Sequence, residues 1–270
     1  MNVVNAEDVR RSLALLGIRP GDTVLFHSSL KSFGRVENGP DDVIDGFLAA
    51  VGETGTVVAP TFTMKDFENA YRTWHLDKPS DTGLITEVFR RRPQARRSDQ
   101  ATHAVAAIGA DAVELTATHG QTGRRHGIYG DTPFAADSPW QKLYDRNAHV
   151  IMAGVGFESL TLRHLCEYTL VDRALTHARK QGRYEEAVAS ICSFEDRARR
   201  SDTLFWLYLD HEHFEEYIRA KGLVQETLCG EATLLHIRSK PVCDSVIKAA
   251  WEQPEHWLPP YAAAWLRRWR

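Results

Sequence analysis

After Asn5, the apolar residues of AEDVRRSLALLG recur at helical spacing and Gly17 offers a left-handed stop, so the chain is expected to open on a helix. A Gly21-Asp22 turn leads into the apolar run Thr23 to Phe26, short and bounded like a buried strand, and HSSLKSFG follows at once. Pro40 to Val51 reads as a helix. Gly55 to Ala59 reads as a second buried strand, ended by Pro60 and the hydroxyl-rich Thr61-Phe62-Thr63. This α, β, α, β opening predicts an α/β layered domain, in which the loops after the strands are where ligands bind.

Met64 to Ser80 is polar, aromatic and without period, a long excursion of the kind that commonly serves function. Leu84 to Arg92 and Asp111 to His119 have helical spacing, Ala104 to Ile108 reads as a strand, and Gly120 to Ser138 again lacks a pattern. The clearest strand is His149 to Val155, which runs through Gly154 and Gly156 into the helix start TLRHLCEY and so brings His164 near the end of a core strand. The final third predicts a charged helical stretch from Asp172 to Arg200, an apolar run Leu204 to Leu209, a helix over His211 to Lys221, a strand Ala232 to Ile237 and one last helix from Val242 onward. No internal repeat or Pro/Ser-rich linker divides the chain, so residues 1–270 are expected to form a single domain.

Composition narrows the function. With 43% apolar residues in 270 the chain can bury a large core, and a net charge of -3 without an extended basic stretch gives no sign of a nucleic-acid or anionic-membrane partner. No apolar window reaches the roughly 20 residues that span a bilayer. The first ten residues lack a signal-peptide core, and the expected location is the cytoplasm. Cys166, Cys192, Cys229 and Cys243 lack CxxC spacing and are expected to stay free thiols.

Several residue groups can carry chemistry, each with a plainer alternative. His164 and Glu167 lie three apart, so on a helix they share a face where a carboxylate can orient an imidazole as a general base; the same spacing also arises in surface pairs. HSSL, His27 to Leu30, is either a cradle of hydroxyls and backbone donors for a phosphate or an amide chain, or a Ser-rich turn. Arg97-Ser98 can fork onto a phosphate, though the run RRRPQARR also suits a solvated helix end. Asp210 to His213 has metal-ligand residue types, but side chains two apart on a helix diverge, and no metal is expected; Asp210 is either a second carboxylate near His164 or a helix N-cap. In the long loop Asp66, Glu68, Tyr71, Trp74 and Asp77 can build an acidic, aromatic wall for a polyhydroxylated cation, or are solvated loop residues.

In serial order, LLGIRPGDTVLFHSSLKSFGRV, GTVVAPTFT, DKPSDTGLITEVFRRRPQARRS, THAVAAIGADAVEL, TPFAADSPWQKL, VIMAGVGFESLTLRHLCE and the weaker GEATLLHIRS resemble the aminoglycoside 3-N-acetyltransferase family over nearly the whole chain. The resemblance implies an α/β single domain with a central mixed sheet flanked by helices, distinct from the GNAT acetyltransferases. It implies acetyl-coenzyme A as co-substrate, bound through His27, Ser28, Ser29, Leu30, Arg97 and Ser98. His164 falls on the base of the family's Thr-x-x-His-x-x-Glu signature and Glu167 on its carboxylate, with Asp210 as the best occupant of a distal carboxylate position. The implied partner is a small-molecule amine, a polycationic aminoglycoside, for which the loop residues Asp66, Tyr71 and Trp74 are the candidate contacts by residue type although the loop itself matches the family poorly, and a homodimer is compatible with such an enzyme. Direct transfer is expected, with the oxyanion met by backbone donors or hydroxyls near the HSSL turn. The chain departs from the family pattern Arg-Ser-x-His-Pro-x-x-Ser at Gln100, Ala101 and Ala104, a loss that either weakens coenzyme binding, alters the acyl donor or is compensated nearby, with His103 the candidate. Two alternatives follow from the departures: the same fold acylating another amine or amino sugar, or a coenzyme-binding relative without catalysis.

Overall fold

The computed structural model describes residues 3–63, 65, 69–121, 123–193, 196 and 203–270. Asn5 accepts from the Asp8 amide while Asp8 accepts from the Asn5 amide, a reciprocal cap that starts helix α1 (Ala6–Leu15). Strand β1 (Thr23–Ser28) extends beyond the apolar run to include His27 and Ser28. A 3-10 turn (Leu30–Phe33), α2 (Pro40–Val51), β2 (Thr56–Pro60), α3 (Ala70–Thr73), α4 (Leu84–Arg90), β3 (Arg96–Arg97), β4 (Val105–Gly109), α5 (Ala112–Thr116) and α6 (Pro139–Asp145) follow. Next come β5 (His149–Ala153), a 3-10 turn (Phe157–Ser159), α7 (Leu162–Lys180), α8 (Tyr184–Ala189), α9 (His211–Ala220), β6 (Gln225–Cys229), β7 (Ala232–Arg238), α10 (Ser239–Glu252) and α11 (Pro260–Trp269).

Among the described residues seven strands form one mixed sheet in the order β3-β4-β2-β1-β5-β7-β6. The inner three, β2, β1 and β5, are parallel, and the outer pairings are antiparallel. Side chains alternate between two faces, as the period of a strand requires. Leu25, Val150 and Met152 pack with α5 to α11 on one face. Val24, Phe26 and Ile151 pack with α1, α2 and α4 on the other. His27 continues the parity of Leu25 and therefore lies on the face covered by α7.

Two expectations change in detail, and an edge strand is added to them. The helical stretch over Asp172 to Arg200 breaks after Lys180, where Gly182 takes φ 69° and the chain restarts as α8; several residues of its far end lie outside the described ones. The last helix divides into α10 and α11, because Pro254 and Pro259 cannot continue the helical hydrogen-bond ladder. Strand β6 escapes the hydrophobic pattern since it is a sheet edge whose side chains are largely exposed. No helix among the described residues is long and apolar enough to cross a membrane.

Phe26 is fully buried, stacked on Phe47 at 4.7 Å between ring centroids and edge-on to Phe89 at 5.6 Å. Phe26→Ala is expected to destabilise by ~3–5 kcal/mol, the usual cost of emptying a large aromatic site. Urea unfolding should show a lower midpoint at an unchanged slope.

Candidate active site

The carboxyl ends of the three parallel strands converge on a cavity of about 400 Å³. β1 contributes His27 and Ser28, β2 contributes Pro60 with Phe62 just beyond it, and the turn after β5 contributes Val155 and Glu158 to Thr161. Chain reversal about β1, to β2 on one side and β5 on the other, makes this the crevice where open α/β sheets usually bind ligands. Gly154 permits the approach of the β5 exit to the turn after β1. Its φ is 71°, a Cβ there would lie 2.4 Å from the Ser32 Cβ, and Ser32 Oγ donates to its carbonyl at 2.7 Å.

His164 enters the cavity from the first turn of α7. Its Nδ1 lies 2.7 Å from Oε2 of Glu167, and the Glu167 carboxylate is fully buried. The same oxygen accepts from Trp206 Nε1 at 3.0 Å, and Oε1 accepts from the Leu209 amide at 3.0 Å. A carboxylate with three donors fixes the neighbouring imidazole as the Nδ1–H tautomer and leaves the Nε2 lone pair for the cavity. The ring is held edge-on by Tyr129, His103 and Phe134, at centroid distances of 5.0, 5.9 and 5.9 Å.

The HSSL residues divide between two spaces. His27 and Ser28 line the cavity, whereas Ser29 lines a neighbouring shallow groove that also contains Ser32 and Gly156; Val155 and Glu158 border both. Leu30 opens the 3-10 turn and packs against the α1, α2 and α4 side of the core.

The terminal nitrogens of Arg97 and the hydroxyl of Ser98 are engaged by protein partners, whereas the buried Arg97 Nε has none. Arg97 Nη1 donates to the carbonyls of Leu76 and Lys78 at 2.7 and 2.6 Å, Nη2 donates to the Thr61 carbonyl, and the guanidinium lies 4.6 Å over Trp74. Burial pushes its pKa down to about 10. Ser98 Oγ accepts from the Val105 amide and lies 2.8 Å from His119 Nδ1. Their partners place both residues in the wall that anchors the long loop, rather than on the cavity lining.

Asp210 is the N-cap of α9, accepting from the His213 amide at 2.8 Å; the contact that reaches Glu167 comes from the preceding residue, through the Leu209 amide. Nor do Asp210, His211 and His213 converge, since His213 packs edge-on against Trp257 at 4.6 Å. Asp66 and Glu68 lie outside the described residues. Tyr71 donates to the Tyr129 carbonyl and accepts from Gln100 Nε2 at 3.2 Å, one step behind the cavity wall, while Trp74 Nε1 donates to Asp99 at 2.7 Å.

Sequence reasoning missed Trp206, Leu209 and Tyr129. Only Trp206 left a signal, a polar N–H inside an apolar run, which must find an acceptor when buried.

Burial also holds His27 and His119 down to about 4, and His103 well below its ordinary range. Between about pH 6.5 and 4 the unfolded chain binds protons that these folded-state imidazoles refuse, so stability should fall with falling pH across that window. Unfolding midpoints at a series of pH values check this; a flat profile is the contrary result. Glu167→Leu strands three donors and is expected to cost ~3–5 kcal/mol, whereas Asp210→Ala removes a cap worth about 1 kcal/mol. Urea titrations of the two variants should separate them by that margin.

A family model described as aminoglycoside 3-N-acetyltransferase matches residues 25–250. The chain is 34% identical over 175 residues to aminoglycoside N(3)-acetyltransferase VII of Streptomyces paromomycinus, covering 58% of each protein. It spans about three fifths of the length of most of the curated relatives it matches. Its fold matches the crystal structure of the aminoglycoside acetyltransferase AAC(3)-IVa apoenzyme with TM-score 0.71 and 23% identity, covering 100% of this chain and 99% of that one. It also matches AAC-IIIb in its binary form with CoASH, with TM-score 0.70 and 19% identity over 94% and 98% of the two chains. By the extent of the family match, the chain belongs to the aminoglycoside 3-N-acetyltransferase family.

Proposed function

We propose that this protein transfers the acetyl group of acetyl-coenzyme A to an amine of an aminoglycoside, with His164 as general base. The observation that carries this reading is the His164–Glu167 pair, a cavity-facing imidazole braced by a buried three-donor carboxylate. The pair suits direct transfer. Nε2 of His164 takes a proton from the amine as its nitrogen bonds to the thioester carbonyl carbon; the C–S bond then breaks, and the proton passes on to the departing thiolate. Glu167 holds the imidazole in the required tautomer and orientation throughout.

Support for the coenzyme comes from the cavity, where the buried His27 Nε2 and Ser28 Oγ have no protein partner, and from the neighbouring groove lined by Ser29 and Ser32. The solved relative with CoASH supports that co-substrate by analogy. Relatives named for aminoglycosides, including a structure described as bound to sisomicin, support that acceptor class. The location proposed for such an enzyme is the cytoplasm, and a homodimer is compatible with it.

A second reading has a specific observation behind it. Among the described residues that line the cavity, Glu158 is the one carboxylate, with Phe62 and Tyr129 as aromatic walls, which suits an acceptor carrying fewer positive charges, such as a simple amino sugar. Thiol release from acetyl-coenzyme A, measured against gentamicin-type aminoglycosides and neutral amino sugars side by side, separates the two. Turnover with the aminoglycosides is expected, and His164→Ala should lower kcat by ~10²–10⁴. Turnover confined to the amino sugars establishes the second reading, and turnover unaffected by His164→Ala removes the base from its role.

A further inference from the structure

Between Leu204 and Leu209 the chain reads LFWLYL, and Leu204, Trp206, Leu207 and Leu209 are buried. The two side chains that turn outward are Phe205, 46% exposed, and Tyr208, partly buried. Outward positions are where a polar side chain costs nothing, so a pair of aromatic rings there is the informative exception. The segment is also held at both ends. Leu204 bridges to Ile191 and its amide donates to the Ser190 carbonyl at 2.6 Å, while Trp206 Nε1 and the Leu209 amide donate to Glu167.

These rings continue from the imidazole. Tyr208 stands edge-on to the His164 ring at 6.4 Å between centroids, and Phe205, the more exposed ring, lies 6.2 Å from Tyr208. The hydroxyl of Tyr129, a residue of the cavity wall, donates to the Tyr208 hydroxyl at 3.4 Å. An aromatic path therefore leads from His164 and the cavity wall to solvent, on a segment anchored by the same donors that brace Glu167.

The cavity beside this path is poor in negative charge. Glu158 is the one carboxylate among its described lining residues, so a polycation of several rings must be recognised by more than ion pairs. Aromatic faces supply two further contacts. The ring quadrupole attracts an ammonium group within about 6 Å, and the apolar C–H face of a sugar ring covers aromatic area. A segment already ordered before binding makes these contacts at a reduced entropic cost.

Resting on the aminoglycoside reading of this site, we infer that Tyr208 and Phe205 form the platform for the acceptor, with the ring that carries the reacting amine beside Tyr208 and the next amino-sugar ring of the same molecule on Phe205. Phe205 is then the residue that separates acceptors of several rings from those of one. It acts on binding alone, because the reacting nitrogen and the thioester lie at His164, one aromatic ring away.

The test is calorimetry of the full chain with CoASH present and a three-ring aminoglycoside of the gentamicin type as titrant, beside acetylation kinetics with that compound and with a single-ring amino sugar. Phe205→Ala should raise the aminoglycoside Kd by about 3–30-fold and KM in step, with kcat unchanged. The single-ring acceptor should keep its kcat/KM. Phe205→Trp, which retains an aromatic face, should bind the aminoglycoside as the unaltered chain does, whereas Tyr208→Leu, nearer the imidazole, should weaken both acceptors. The urea midpoint and CoASH affinity of Phe205→Ala should stay in place, since the side chain is exposed. An unchanged aminoglycoside Kd in Phe205→Ala overturns the inference and leaves acetyl transfer standing. So does an equal loss for both acceptors or a fall in kcat, which marks a disturbance at His164. An aminoglycoside that binds without thiol release overturns acetyl transfer, while the Kd comparison still decides the platform; no binding at all overturns both.

Discussion

A carboxylate taken out of water must be met by donors, and the structure is organised around meeting one. Glu167 is fully buried, and an unpaired charge there would cost several kcal/mol or more. Its three donors come from α7 itself and from the segment at residues 206–209. The segment is thereby docked against α7 in the same act that orients His164. The coupling extends outward, because the residue after Leu209 caps α9 and sends its amide to the Trp257 carbonyl, next to the turn before α11. Orientation of the imidazole is thus a property of how the C-terminal third packs, although the histidine lies near the middle of the chain.

The sheet supplies the other half of the arrangement. Three adjacent parallel strands end on one side, and a parallel strand that ends in the core delivers whatever follows it to the same edge. His27 and Ser28 follow the apolar run of β1, Phe62 follows β2, and the turn after β5 leads into α7. Beside them the antiparallel β4 starts at the same edge, and His103, two residues before it, joins the lining. His27 shares the parity of Leu25, which selects the face under α7 and not the face under α2. A one-residue slip in β1 would turn it away from the cavity.

Much of this was legible in the chain. The runs at β1, β2 and β5 are short, apolar and bounded by Gly or Pro, and the i, i+3 spacing of His164 and Glu167 requires only that the segment be helical. What escaped was what depends on distance. Trp206 lies 39 residues from Glu167, and the Leu209 donor is a backbone amide that carries no residue signature. Arg97 reads as a surface or phosphate-binding cation because its charge is visible, while the three carbonyls that accept from its two terminal nitrogens are not. Asp210 illustrates the margin: the expected carboxylate contact passes through its neighbour's amide, and its own side chain satisfies the helix it starts.

The departure at Gln100 has a physical sense in this setting. The family pattern places a histidine there, followed by proline and later a hydroxyl, and this chain has Gln100, Ala101 and Ala104 instead. Gln100 is buried; its Oε1 accepts from the amides of Thr102 and His103 at 2.6 and 2.7 Å, and its Nε2 donates to Tyr71 and Thr132. One amide side chain thus shapes the turn and ties it to the Tyr71 hydroxyl, which bonds the carbonyl of Tyr129. Both Tyr129 and His103 then press on the His164 ring. A primary amide offers donors and an acceptor together and does not titrate in the physiological range. Glutamine in place of histidine therefore keeps the wall behind His164 hydrogen-bonded and removes one titratable group from it, while His103, the residue before Ala104, supplies an imidazole to the cavity lining.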